Sequence, residues 1–313
     1  MYSNAAKPLK TAAGAALLAI TMILGLGCGD ASNPGSKPDP KNKDWRVSNW
    51  TKPDTSGYVT FNNGGIKIEM VLVKGGTFTM GCTMPEEELC DFDEGGFVTR
   101  RRCDGGMLQN LCAANEYPAH KVTVSDFYIG KFEVTNELWI KVMDRYPEWY
   151  YDDGLLKKID NLINPLYAVR HLDSASIPSF LNKLNKLTNK NYRLPTEAEW
   201  EFAARGGNNS KNRAFAGSDN VEQVNGYGPM GTSLPNELGI YSMTGNVAEL
   251  VSDWYSPYTA KSQANPQGPL SGEYRITRGG YSSRQESYLR VSSRVTLLPN
   301  EIDDGIRLVL NAN

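Results

Sequence analysis

The side chains best equipped for chemistry in this sequence are its thiols, and they are unevenly placed. Cys82, Cys90, Cys103 and Cys112 crowd into one glycine-rich stretch, while the fifth cysteine, Cys28, stands alone near the N-terminus. Thiolates act as nucleophiles or as soft metal ligands, and thiol pairs close disulfides. Zinc knuckles usually present close Cys-x-x-Cys pairs, and none occurs among the clustered cysteines. Two disulfides are the expectation and a four-cysteine zinc site is the rival; spacing leaves three pairings open. Carboxylates form a second cluster. Glu197, Glu199 and Glu201 alternate along one short segment, which invites a general acid–base reading. Helix capping explains them more simply. Thr196 and Glu199 have capping-box spacing, and Glu197 and Glu201 lie near the positive end of the helix that the box would start. No catalytic role is assigned to them.

Such groups need a scaffold, and the apolar pattern supplies one. Ile66, Ile68, Met70 and Leu72 alternate with Lys67, Glu69 and Val71, which predicts a strand. Lys74-Gly75-Gly76 turns it into a second extended run that ends at Gly81. A further strand is predicted over residues 121–124, continued by Phe127, Tyr128 and Ile129. Thr135 sits where its hydroxyl can cap a helix running to Met143. A second helix is expected around residues 180–187, with Phe180, Leu181, Leu184 and Leu187 on one face. The capping box starts a third, through Trp200, Phe202 and Ala203 to a stop at Gly206-Gly207. Beyond residue 208, glycine, asparagine and proline recur every few residues, with short strand-like pieces at 274–277 and 306–310. Loops so ordered need packed tryptophans, buried arginines or metal ions to fix them. No internal repeat is present.

Composition narrows the class. A chain of 313 residues with 10% aromatics and 22% charged residues suits a soluble, loop-rich globular protein long enough to bury a core. Its net charge is -2, and removing Lys7 and Lys10 with the first 27 residues makes that -4. So mild a balance argues against nucleic acid as a partner, which would require a concentrated basic surface. Lys7 and Lys10 precede an apolar run from Ala12 to Leu26, shorter than the roughly 20 residues a membrane-spanning helix needs. Residues 1–27 therefore read as an export signal. Small residues before Cys28 resemble a bacterial lipoprotein box, although Gly25 replaces the usual leucine. Cys28 is accordingly the expected lipidation site, which would hold the protein in the bacterial cell envelope as a membrane-anchored lipoprotein. Residues 28–60, rich in Asp, Asn, Pro, Ser, Gly and Lys, read as a disordered tether. The globular domain is expected over 61–313, with a cysteine-bearing loop insertion at 82–116. There Arg100, Arg101 and Arg102 are balanced by Glu86, Glu87 and Glu88. Export favours disulfides over free thiols.

A set of motifs falls in a telling order: Met80-Gly81, Glu133-Val134-Thr135, the block at 193–207, Pro235-Asn236, Gly245-Asn246-Val247, Asp253-Trp254-Tyr255 and Arg278-Gly279-Gly280. In this order they resemble the formylglycine-generating enzyme family, the sulfatase-modifying factors. The resemblance implies an α+β, irregular, loop-rich C-type-lectin-like fold. It also implies an activity, oxidation of a sulfatase cysteine to formylglycine, in which two thiolates bind copper(I), a metal that soft sulfur suits. Aligned with that thiol pair are Arg284 and Leu289, and no cysteine occurs from Gly280 to Asn313. Copper is not expected.

The resemblance further implies a structural calcium on the loop at 241–249. Its ligands would be Ser242, the carbonyls of Gly245 and Val247, and the carboxylate of Glu249. Calcium prefers six to eight hard oxygens, and Ser242 replaces a usual Asn or Asp. The other reading is an ordered turn with Glu249 as a buried partner. Family enzymes receive peptide in a groove lined by the segment corresponding to 280–305. Tyr281, Arg284 and Tyr288 are the ligand-binding candidates there, since aromatics and arginines suit recognition. Arg294 and Arg307 match family arginines that tie loops together. The expected function is a surface binding or envelope-scaffold module, without catalysis, for a protein, peptide or glycan ligand. The alternative is a formylglycine-generating-type oxidoreductase acting on protein cysteine by an unrecognised site. An iron-dependent branch of the family needs a set of histidines, and His120 and His171 alone do not build one.

Overall fold

A computed structural model describes residues 58–63, 66–83, 112–147, 164–173, 175–302 and 304–312. The expected signal segment, Cys28, nearly all of the tether, and Cys90 and Cys103 lie outside these residues.

In chain order the strands are β1 (Tyr58–Asn63), β2 (Ile66–Val73), β3 (Gly76–Met80), β4 (His120–Val124), β5 (Phe127–Gly130) and β6 (Glu249–Trp254). They continue with β7 (Gln263–Ala264), β8 (Arg275–Arg278), β9 (Val295–Leu297), β10 (Gly305–Ile306) and β11 (Val309–Asn311). Helices are α1 (Asn136–Met143), α2 (Ser176–Thr188), α3 (Glu197–Ala204) and the one-turn α4 (Val221–Val224) and α5 (Glu286–Leu289). Among the described residues these strands form three small sheets, ordered β1-β2-β5-β11, β10-β6-β8-β9 and β3-β4-β7.

The first sheet divides the interior. Ile66, Ile68 and Met70 of β2 enter one apolar cluster with Trp139, Phe180 and Leu184 from α1 and α2. Val71 and Val73 enter the other, built around Trp200 and Phe202 of α3. The alternation in β2 therefore does not separate core from solvent in its second half: both faces are covered, and Glu69 is buried there between Lys67 and Lys131. Trp139 and Phe180 stack at 4.8 Å.

Helix ends follow the capping chemistry read above. Thr135 Oγ1 accepts from the Leu138 amide at 3.2 Å. Thr196 accepts from the Glu199 amide at 3.1 Å, and Glu199 reaches back to the Thr196 amide at 2.8 Å. The second helix differs from its expectation. It begins at Ser176, where the Asp173 carboxylate accepts from the Ala175 and Ser176 amides at 2.8 and 2.6 Å. Its buried stripe runs Ile177, Phe180, Leu184, Thr188, and Leu187 is 51% exposed. A period of 3.6 residues carries the stripe from position 184 to 188 and turns 187 outward. The expected single strand at 306–310 is likewise two. Gly305–Ile306 pairs with β6 and Val309–Asn311 with β5, and the buried Arg307 crosses between the sheets.

Candidate functional site

A frame of buried arginine–carboxylate pairs holds the loops. Glu197 and Glu201 stand one turn apart on α3 and so share a face. Glu197 receives both prongs of Arg294, at 2.6 and 2.8 Å. Glu201 receives Arg278, together with Arg205 at 2.7 Å and the Gly81 amide at 2.9 Å. Glu199, on the other side of the helix, holds Arg193 through two bonds of 2.7 Å. Elsewhere Arg290 grips Glu116 at 2.7 and 2.5 Å, and Arg307 grips Glu249 at 2.9 and 2.6 Å. All three acids of α3 are therefore structural ties, as capping logic had it for Glu199. Arg294 and Arg307 are the loop ties that the resemblance implied.

This frame delivers the segment where the family keeps its thiols. Gly279 and Gly280 take φ of 82° and 65°, a left-handed region that glycine enters without strain. A Cβ at Gly280 would stand 2.9 Å from the Tyr288 carbonyl, so the chain returns here at closest approach. Arg278 clamps the base of the resulting loop, donating to the carbonyls of Val291, Ser292 and Ser293. Of the two thiol positions, Leu289 is 1% exposed and packs with Phe215 and Val224. Arg284 is exposed. Its guanidinium lies over the rings of Tyr281 and Tyr288, 5.9 and 5.8 Å from their centroids.

The three ligand-binding candidates thus come together, with one difference. Tyr281 is half-buried and donates its hydroxyl to Asp304, itself 1% exposed, so it packs as well as presents.

Two neighbouring loops complete the face. Asn225 donates to the Ser282 carbonyl at 3.0 Å, and the Leu172 amide meets the Asp304 carbonyl at 3.4 Å. Tyr167 bridges Pro229, and the Met230 amide reaches the Leu166 carbonyl at 2.9 Å. On these loops Tyr227 is 43% exposed, Tyr167 meets it edge-on at 5.4 Å, and Arg170 lies 5.5 Å over its ring. Sequence reasoning missed Arg170 and Tyr227. A tyrosine between Gly226 and Gly228 was the available signal.

Among the described residues, Arg170, Arg275 and Arg284 carry no carboxylate partner. Arg275 is absorbed by the Val251 and Ser252 carbonyls and the Trp254 ring. A cavity of about 330 Å³ beside it, under α2 and floored by Leu194 and Leu250, shares no residue with the tyrosine–arginine face.

The calcium donors do not fit their ion. Glu249, the one charged donor of the set, is wholly buried. Its oxygens accept from Arg307 and, at 2.8 Å, from the Trp200 indole. A guanidinium thus stands where the cation would. Of the two readings left open for this loop, the geometry supports the ordered turn: Gly245 donates to the Gly279 carbonyl at 2.9 Å, and Asn246 donates to Glu133 at 2.9 Å. Glu133 is the unusual acid here. Burial pushes its pKa up to about 7 against the pull of Arg307, with the Glu249 charge adding to the rise. One guanidinium serves two carboxylates, and protonating the second restores local neutrality. Burial and the charge of Glu197 also push Asp253 up to about 6.

Cys82 and Cys112 form a disulfide, with Cα atoms 6.1 Å apart. Glu116 lies close enough to both sulfurs to suggest a metal cluster, but it is held by Arg290, which also donates to Cys112 Sγ at 3.2 Å. For these two cysteines the disulfide stands in place of the zinc alternative. The bond closes the roots of the insertion.

Comparison with known proteins agrees with this architecture. The model of the sulfatase-modifying factor enzyme 1-like domain matches residues 62–312. The chain is 30% identical to chaperone protein LppX of Paenibacillus barcinonensis over 64% of its own length and 81% of that protein. It is 26% identical to the formylglycine-generating enzyme of Mus musculus over 70% of its length and 68% of the enzyme. With the serine/threonine-protein kinase pkn1 of Chlamydia pneumoniae it shares 27% identity over 79% of its length, but it spans only 39% of that kinase. Among solved structures, Treponema denticola variable protein 1 superposes with a TM-score of 0.63 at 22% identity, over 82% of this chain and 99% of that one. PvdO from Pseudomonas aeruginosa gives 0.55 at 22% identity, over 81% and 98%. At such identities these likenesses speak for the fold, the α+β, irregular, loop-rich C-type-lectin-like arrangement described above. With its motifs in family order, its arginine ties in place and residues 62–312 matched by the family model, the chain belongs to the sulfatase-modifying factor, or formylglycine-generating enzyme, family.

Proposed function

We propose that this member has left copper-dependent formylglycine chemistry and works as a binding module of the bacterial cell envelope, exported and anchored through a lipid on Cys28. One observation carries the reading. At the two positions where the family's chemistry needs thiolates, the chain has an exposed arginine stacked on two tyrosines and a leucine sealed into the core. Neither a guanidinium nor an isobutyl group binds copper(I). An exposed arginine over half-buried tyrosines on a fixed loop is what protein recognition favours.

The test is a selection. A random heptapeptide library is panned on the exported protein, and the recovered peptides are re-measured on Arg284→Ala. Peptides that bind the parent and lose about tenfold or more on the variant support the module. An incubation with copper, oxygen and a cysteine-containing sulfatase peptide runs beside it, and turnover there refutes the proposal.

A further inference from the structure

The tyrosine–arginine face holds a second stacked cation, and the two together specify a ligand. Arg170 over Tyr227 and Arg284 over Tyr281 and Tyr288 sit on neighbouring loops: backbone bonds join the Arg170 and Tyr227 loops, and the Asn225 and Tyr281 side chains tie the Arg284 loop to them through the Ser282 carbonyl and Asp304. Among the described residues neither has a carboxylate partner, in a protein that supplies one to Arg193, Arg205, Arg278, Arg290, Arg294 and Arg307. The Arg170 Nε is buried without an acceptor. A guanidinium laid on an aromatic face keeps its N–H edges free, and that fork matches a carboxylate in two-pronged fashion. Asp304, the acid beside Tyr281, does not compete: it is 1% exposed and receives the Tyr281 hydroxyl.

We infer that the face takes an extended acidic peptide, with one carboxylate on Arg170 and a second on Arg284. This rests on reading the face as a binding surface. A sugar-stacking platform would need open aromatic faces, and here cations already cover those of Tyr227, Tyr281 and Tyr288.

The probes are fluorescein-labelled decapeptides that carry two glutamates separated by one to five Gly/Ser residues, with glutamine counterparts. Anisotropy is read on the exported protein and on Arg170→Met and Arg284→Met, variants that keep the apolar stem. At least one glutamate peptide should bind about tenfold more tightly than its glutamine twin, more weakly in high salt, and each variant should lose about tenfold. A charge swap guards against misfolding: Arg284→Glu should bind the matching Glu/Lys peptide better than the parent does. Equal binding of glutamate and glutamine peptides overturns the inference, as does an Arg170→Met variant that binds like the parent. Glucuronate oligosaccharides that bind where the peptides fail also overturn it. If neutral library peptides bind through Arg284, the binding surface stands and its acid specificity falls; if no peptide binds, both fall.

Discussion

Glu197 receives Arg294 through both carboxylate oxygens, so the first turn of α3 and the chain just ahead of β9 behave as one rigid piece. The Arg294 guanidinium also lies 3.8 Å from the Tyr258 ring centroid. Removing one partner of a buried pair leaves an uncompensated charge, typically at a cost of about 3–5 kcal/mol. Arg294→Ala should therefore lower the unfolding free energy by about that much. Arg284→Ala, on the surface, should change it by less than about 0.5 kcal/mol. Urea titrations of the two variants check the contrast, and similar midpoints would mean that residues 281–288 are packing.

Tyr281 should fall between them. Its hydroxyl donates to the buried Asp304, so Tyr281→Phe should cost about 1 kcal/mol, the usual net worth of one hydrogen bond. Binding should weaken far less in Tyr281→Phe than in Tyr281→Ala, because the ring under Arg284 remains. Parallel melting and binding curves separate the two roles.

Stability should fall as pH rises from about 4.5 to about 7. Glu133 has a folded pKa near 7 against an ordinary 4.5, so across this window the folded state holds a proton that the unfolded state has released. The contribution is fully present below about 4.5 and lost as pH rises through about 7, on the order of 3 kcal/mol. Glu133→Gln keeps an acceptor for Asn246 and cannot titrate. Its melting temperature should vary less over this range than the parent's, and thermal scans at pH 5, 6 and 7.5 decide the matter.

Reduction should act locally. Cys82 and Cys112 are separated by 30 residues, and opening a loop of that size removes up to about 3.5 kcal/mol of chain-entropy stabilisation. Non-reducing peptide mapping should return the Cys82–Cys112 pair, with Cys90 joined to Cys103. Cys112→Ser should destabilise without abolishing the fold, because Glu116 still grips Arg290 beside the lost bond. Four free thiols with stoichiometric zinc would refute this assignment.

How much of this was readable beforehand follows from range. The capping box at Thr196, the Thr135 cap and the stop at Gly206 were legible because their partners lie within three or four residues. Arg294 and Arg307 were legible only through the family's motif order. Glu116 and Arg290 stand 174 residues apart, and nothing in local spacing pairs them. The Arg170–Tyr227 contact was hidden for the same reason: the loops that carry them meet through main-chain bonds, which leave no residue signature. Glu249 illustrates a different limit. A carboxylate beside loop carbonyls suits a metal as well as a guanidinium, and only the packing of Arg307 decides between them.

The clamp at Arg278 has an evolutionary consequence. Residues 281–288 hang between two fixed posts, Arg278 at one end and Arg290 at the other, each paired to an acid outside the segment. Substitutions within the loop tip, at Ser283, Arg284 and Gln285, touch neither post nor core. Selection can therefore rewrite the exposed chemistry of the loop tip while the scaffold goes on folding as before, so surface character can drift far faster than shape.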